Sequence, residues 1–142
     1  MRALAGIDAS VLLSTAGHDL PSELPPNVFA APYLPGDRAV ARAALVISNG
    51  GSTTGYQALA GGVPVLGIAS NLDQFLAMTA IAASGAGILL RAGSLKEALV
   101  RDAIGRILSN PSFGQAAKTV ASDFARYNSA QRFESAISDL VA

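Results

Sequence analysis

The sequence predicts an α/β protein: a doubly wound, Rossmann-like parallel sheet with helices on both faces. Three observations carry that prediction. Short apolar runs alternate with helix-spaced segments along the chain. The strongest run, Ala44-Leu45-Val46-Ile47-Ser48, has no polar residue before Ser48, which suits a parallel strand covered on both faces. The connections are short and marked by Gly, Pro and Asn, as in successive strand–helix–strand units.

Each element has its own signal. Val11-Leu12-Leu13 reads as a strand entering the loop Ser14-Thr15-Ala16-Gly17. Pro21, Pro25 and Pro26 each remove a backbone donor, so the next stretch is expected to be irregular. Val28-Phe29-Ala30 is a second short strand, residues 37–43 a short helix, and residues 44–48 the strong strand. A helix over residues 52–60 stops at Gly61-Gly62. Residues 63–68 form the next strand, and Asn71 caps a helix running through Ile81. Ile88-Leu89-Leu90 is a further strand. Ser94 and Glu97 have capping-box spacing, with Leu95, Leu99, Val100, Ile104 and Leu108 at helical intervals behind them. Ser112 with Gln115 opens another helix in the same way, and a last helix lies near residues 128–141.

Composition narrows the function. A length of 142 residues fits one domain, and 51% apolar with 14% charged residues supports a sizeable core. Ten basic side chains balance ten acidic ones and form no stripe, which argues against a nucleic-acid partner. The absence of cysteine excludes a disulfide framework and thiolate–metal sites. His18, the one histidine, reads as a loop residue and not a metal ligand. The first residues reach Asp8 before any apolar stretch of signal-peptide length. No run approaches the roughly 20 apolar residues of a membrane span, so a cytoplasmic domain is expected.

Parallel α/β sheets bind ligands beyond the carboxyl ends of their strands. There the loop Ser48-Asn49-Gly50-Gly51-Ser52-Thr53-Thr54-Gly55 leaves the strongest strand and opens a helix. Its glycines allow close approach of the backbone, and the first helical amides lack internal partners and sit at the positive end of the helix dipole. Such a site stabilises phosphate without Lys or Arg, and the hydroxyls of Ser52, Thr53 and Thr54 add donors. It is neither a Walker loop nor GxGxxG. Two readings stay open on pattern alone: an anion site, or an ordinary βα turn with Ser52 as N-cap.

The ordered stretch from Tyr33-Leu34-Pro35-Gly36 through Leu45-Val46-Ile47-Ser48-Asn49-Gly50-Gly51-Ser52-Thr53-Thr54-Gly55-Tyr56-Gln57-Ala58-Leu59-Ala60-Gly61-Gly62-Val63-Pro64-Val65 to Asn71-Leu72-Asp73-Gln74 resembles a known domain. It is similar to the carboxyl-terminal, nucleotide-sugar donor domain of GT-B glycosyltransferases, especially UDP-glycosyltransferases and macrolide or antibiotic glycosyltransferases. The resemblance implies one half of a GT-B architecture, lacking its first strand and the acceptor domain. It implies a hexosyltransferase that moves sugar from a nucleoside diphosphate to a small-molecule or lipid acceptor, without a metal cofactor, and is inactive as this chain alone.

The same resemblance implies roles for individual residues. Tyr33 and Leu34 hold the base; Asn49, Gly50, Gly51, Ser52, Thr53 and Thr54 surround the diphosphate. Gln57 reaches the ribose, and Asp73 and Gln74 meet the sugar hydroxyls. Asn49 stands where the family has His, Gln57 where it has Glu, and Gly36 where it has Gln. These departures replace an ionisable ring and a carboxylate by neutral amides, and leave UDP, dTDP and GDP all open. The implied partners are the nucleotide sugar and an acceptor domain or subunit; a non-catalytic module with the same fold is the alternative. As a simpler reading, Gln74 completes a capping box with Asn71.

Overall fold

A computed structural model describes residues 2–141 of the chain. A 3-10 turn at Arg2–Leu4 precedes strands β1 (Val11–Ser14) and β2 (Val28–Ala31). Helix α1 (Gly36–Val40), strand β3 (Val46–Ser48), helix α2 (Ser52–Ala60) and strand β4 (Val65–Ala69) follow. Then come α3 (Leu72–Ala83), β5 (Gly87–Arg91), a 3-10 turn at Ala92–Ser94, α4 (Glu97–Ser109), α5 (Pro111–Ala125) and α6 (Ser129–Val141).

All strand pairs are parallel, as the strand–helix alternation requires. Strand β4 lies between β3 and β5 and explains why helices cover both faces. Its adjacent residues Val65 and Leu66 point to opposite sides, as successive strand residues must. Val65 joins Ala58 and Leu59 of α2, Met78 and Ile81 of α3, and Ala117 of α5 in one cluster. Leu66 joins Val100, Ala103, Ile104 and Ile107 of α4 together with Ala3 in the other. Both are completely buried, so β4 is the axis of the core.

The strands do not form one continuous ladder. Hydrogen bonding gives a two-stranded sheet, β1-β2, and a separate three-stranded sheet, β3-β4-β5. Among the described residues β1 and β3 each pair along one edge only. The first ladder is tied to its surroundings by polar bonds: Asn27 Nδ2 donates to the carbonyls of Leu4, Ile7 and Ala9 at 3.0, 3.3 and 3.1 Å. Arg101 of α4 donates to the carbonyls of Ala5 and Arg2 at 2.9 and 3.0 Å.

Three local expectations need correction. Ser94 does not open a capping box. It closes a 3-10 turn, Leu95 and Lys96 are extended, and Lys96 is the N-cap of α4 without a side-chain bond. The next helix starts earlier than Ser112, because the Asn110 side chain accepts from Ser112 N and Pro111 fits the first helical turn. Helix α1 ends at Val40 and not at residue 43; Arg42 and Ala43 continue in tight turns to the Ala39 and Val40 carbonyls. No helix is long and apolar enough to cross a membrane among the described residues.

Candidate functional site

The carboxyl end of β3 leads into the loop at residues 49–51 and then into α2. Gly51 is the N-cap of α2, with φ −63° and ψ 145°, and no side chain caps the helix. Ser52 is the first helical residue, so the reading of Ser52 as N-cap does not hold. The amides of Ser52, Thr53 and Thr54 belong to the first turn, where the carbonyls four residues back lie outside the helix, and no acceptor takes them among the described residues. They lie at the positive end of the helix. The helix tip is not plugged; it opens at the surface, with Thr53 and Thr54 exposed.

Behind this tip the loop is tightly fixed. Gly50 N donates to Ser48 Oγ, and Gly51 N donates to Asn49 Oδ1, both at 3.0 Å. Two loop amides are therefore already engaged, and Asn49 still has its Nδ2 group to donate to another partner. Gly50 has φ +80°, a region that L side chains avoid, and a Cβ there would stand 2.7 Å from Met78 Cγ and 3.5 Å from the Gln74 carbonyl oxygen. A Cβ on Gly67 would also collide with Met78. Met78, wholly buried, is thus wedged between the loop and β4. It is carried by the same helix that presents Asp73 and Gln74.

That helix is well capped. Asn71 Oδ1 accepts from Gln74 N at 3.0 Å, as the sequence predicts. Gln74 does not return the bond to Asn71. Its Oε1 accepts from Ser70 N at 2.7 Å and from Ser70 Oγ at 3.0 Å, one residue beyond the reciprocal box. Gln74 is 8% exposed, whereas Asp73 lies in the open. Arg91, at the end of β5, stacks its guanidinium over the Phe75 ring at 4.9 Å.

The remaining expected residues lie around α1. Tyr33 is 76% exposed and Leu34 half-buried. A Cβ on Gly36 would run into the Gln57 side-chain amide. Two departures from the family pattern are therefore neighbours: the absence of a side chain at 36 leaves the room that Gln57 occupies. The structure thus brings together residues 49–54 with Gln74 through Gly50, and Gly36 with Gln57.

Sequence reasoning missed Ser48, Ser70 and Met78. Met78 had a signal, since it lies four residues after Gln74 on a helix. The two serines had none, because a hydroxyl accepting or donating locally looks like any loop serine. Among the described residues no three His, Asp or Glu side chains gather to hold a metal ion. Two shallow hollows lie along α5 and α6, one lined by Asp123, Phe124 and Tyr127, and neither touches the loop. A tip of free amides with hydroxyls beside it can bind an oxyanion, and an amide side chain one element away can contact a group attached to that anion.

The chain is similar to several known proteins. Residues 1–138 match the family model described as erythromycin biosynthesis protein CIII-like, C-terminal domain. A PGL/p-HBAD biosynthesis rhamnosyltransferase of Mycobacterium bovis BCG is 46% identical over 126 residues, covering 89% of this chain and 28% of that protein. The spinosyn forosaminyltransferase SpnP superposes with a TM-score of 0.88 at 27% identity, over 99% of this chain and 36% of its own. The glycosyltransferase VinC, solved in complex with dTDP, gives 0.78 at 26% identity, over 88% of this chain and 32% of its own. The chain spans well under half the length of these relatives.

Proposed function

This chain belongs to the erythromycin biosynthesis protein CIII-like C-terminal domain family, and on that premise we propose that it is the nucleotide-sugar-binding half of a glycosyltransferase. It holds the donor while a hexose passes to a small-molecule or lipid acceptor bound by another domain or subunit. The reading rests on one observation: the free amides of Ser52, Thr53 and Thr54 at the unplugged start of α2. Those amides, with the three hydroxyls, would take the diphosphate and stabilise its charge as the sugar leaves, a task that preorganised donors perform without a metal. Asn49 Nδ2 would add a neutral donor. Tyr33 and Leu34 would receive the base, Gln57 the ribose, and Asp73 and Gln74 the sugar.

Thymidine diphosphate sugars are the first donors to try, since VinC was solved with dTDP. The neutral Gln57 in place of a carboxylate suits them, because one ribose hydroxyl fewer is available to an acceptor group. An acceptor domain would come from a longer chain or a partner, since this chain spans well under half the length of the relatives it matches. Titration of 15N-labelled chain with dTDP, UDP and GDP tests the proposal. The expected result is weak binding with the largest shifts at the amides of residues 52–54 and no sugar transfer by this chain alone. Unmoved amides at millimolar ligand would overturn it.

A further inference from the structure

Among the described residues no part of α6 is buried, although the helix runs for 13 residues. A helix of that length is marginal in water unless one of its faces packs against something. Its start is nevertheless anchored. Asn128 Oδ1 accepts from Gln131 N at 3.1 Å, and the Arg132 guanidinium lies 4.5 Å from the centre of the Tyr127 ring. The first turn is thus fixed to the domain, and the rest of the helix faces solvent.

Its surface is two-sided. Phe133, Ile137, Leu140 and Val141 are 69%, 44%, 81% and 80% exposed. With Ala130 they occupy one stripe about 100° wide, the width that ordinarily faces a core, while Arg132, Ser135 and Asp139 lie opposite. The spacing is that of a heptad seam, with Ala130 and Ile137 at the a positions and Phe133 and Leu140 at the d positions. Ile at a with Leu at d favours two parallel strands. In that alignment each seam residue meets its own counterpart, and Glu134 faces the neutral Ser129 of the other copy. The antiparallel alignment that stacks Phe133 on Ile137 centres its two-fold axis at residue 135 and sets Glu134 beside its own copy, so like charges oppose it.

We propose that α6 is a self-association surface: the chain forms a two-fold dimer in which the seam of Ala130, Phe133, Ile137 and Leu140 packs in parallel on that of a second copy. The seam carries no charge, so burying it leaves no ion unpaired. The four large side chains leave about 500 Å² of apolar surface in water on each copy, so pairing covers about 1,000 Å², the lower bound of a specific interface. The dimer is correspondingly weak, with a Kd on the order of 10–100 µM. Its contact is isologous and closes at two copies. It stands apart from the donor-site reading, because the hollow along α6 does not touch the loop at residues 49–51.

Sedimentation velocity on the intact chain, from about 1 to 300 µM, tests the proposal. The weight-average mass should rise from one copy toward two across that range. Phe133→Lys places a charge on both sides of the seam and should weaken the dimer tenfold or more, by the order of a hot-spot loss. Its urea unfolding midpoint at low concentration should match wild type, since Phe133 packs on nothing within its own chain. Phe29→Ser, on the exposed first ladder, should leave the association unchanged. The sequence has no cysteine, so Ala130→Cys supplies a single thiol, and oxidation by diamide should link two copies through it. The antiparallel alignment would hold the two thiols about 15 Å apart and give no link. A chain that stays monomeric up to the highest concentration overturns the proposal and leaves the stripe to another occupant, such as an acceptor domain. A dimer indifferent to Phe133→Lys, or one abolished by Phe29→Ser, places the contact elsewhere and overturns it as well. A dimer that Ala130→Cys fails to link overturns the parallel seam.

Discussion

The two ladders of this domain are built from similar residues and meet opposite fates. In β4, Val65 and Leu66 are each 0% exposed, because α2, α3 and α5 cover one face and α4 the other. In the first ladder, Leu12 pairs in register with Phe29, yet they remain 56% and 57% exposed. Ile47 of β3 is 39% exposed. An apolar run therefore specifies a strand, but only packing on both sides turns that strand into core. Contiguous apolar side chains left in water mark a surface that another element or molecule covers. The ladder that carries the proposed diphosphate loop is covered along β4 while Ile47 of β3 stays partly open; the first ladder leaves both Leu12 and Phe29 exposed.

Four substitutions break or sharpen that contrast. Met78→Ala removes a wholly buried side chain beneath the loop and should cost about 2–5 kcal/mol in urea unfolding. A loss below about 1 kcal/mol would mean that the three-stranded side is loosely packed after all. Gly50→Ala combines a φ of +80° with a collision against Met78, for an expected loss of about 1–3 kcal/mol together with weakened dTDP binding. Equal stability would show that the loop can relax. Asn71→Ala deletes the cap bond to Gln74 N and should lower stability by about 1 kcal/mol, read from the unfolding midpoint at constant slope. Phe29→Ser, on the exposed ladder, should change stability by less than about 0.5 kcal/mol. A loss as large as that of Met78→Ala would reveal that this face is buried in solution, for instance by self-association.

Much of this arrangement was legible in the residues. The unbroken apolar run ending at Ser48, the glycines after it and the helix from Ser52 to Ala60 all stand where the pattern puts them. Asn71 caps its helix as its side-chain chemistry dictates. What could not be read was long-range or sub-residue in scale. Ser94 and Glu97 have the spacing of a capping box, but the chain leaves β5 through a 3-10 turn that delays the helix. The division into two ladders depends on which strand edges meet, and local sequence does not encode that. In the proposed site, the hydroxyl and amide residues point to a polar ligand from the sequence alone. Which amides are free and which are taken, as with Gly50 and Gly51, depends on hydrogen bonds of a few tenths of an ångström tolerance.

The thioether wedged beneath Gly50 has one more consequence. Because a single helix supplies both that wedge and Gln74 one turn earlier, the proposed phosphate loop and the proposed sugar contact are braced by one element that forms when the domain folds. If the proposed site holds a donor, little ordering would be left for the moment of association, and discrimination would fall to shape and hydrogen-bond direction and not to a loop that remodels itself around each visitor.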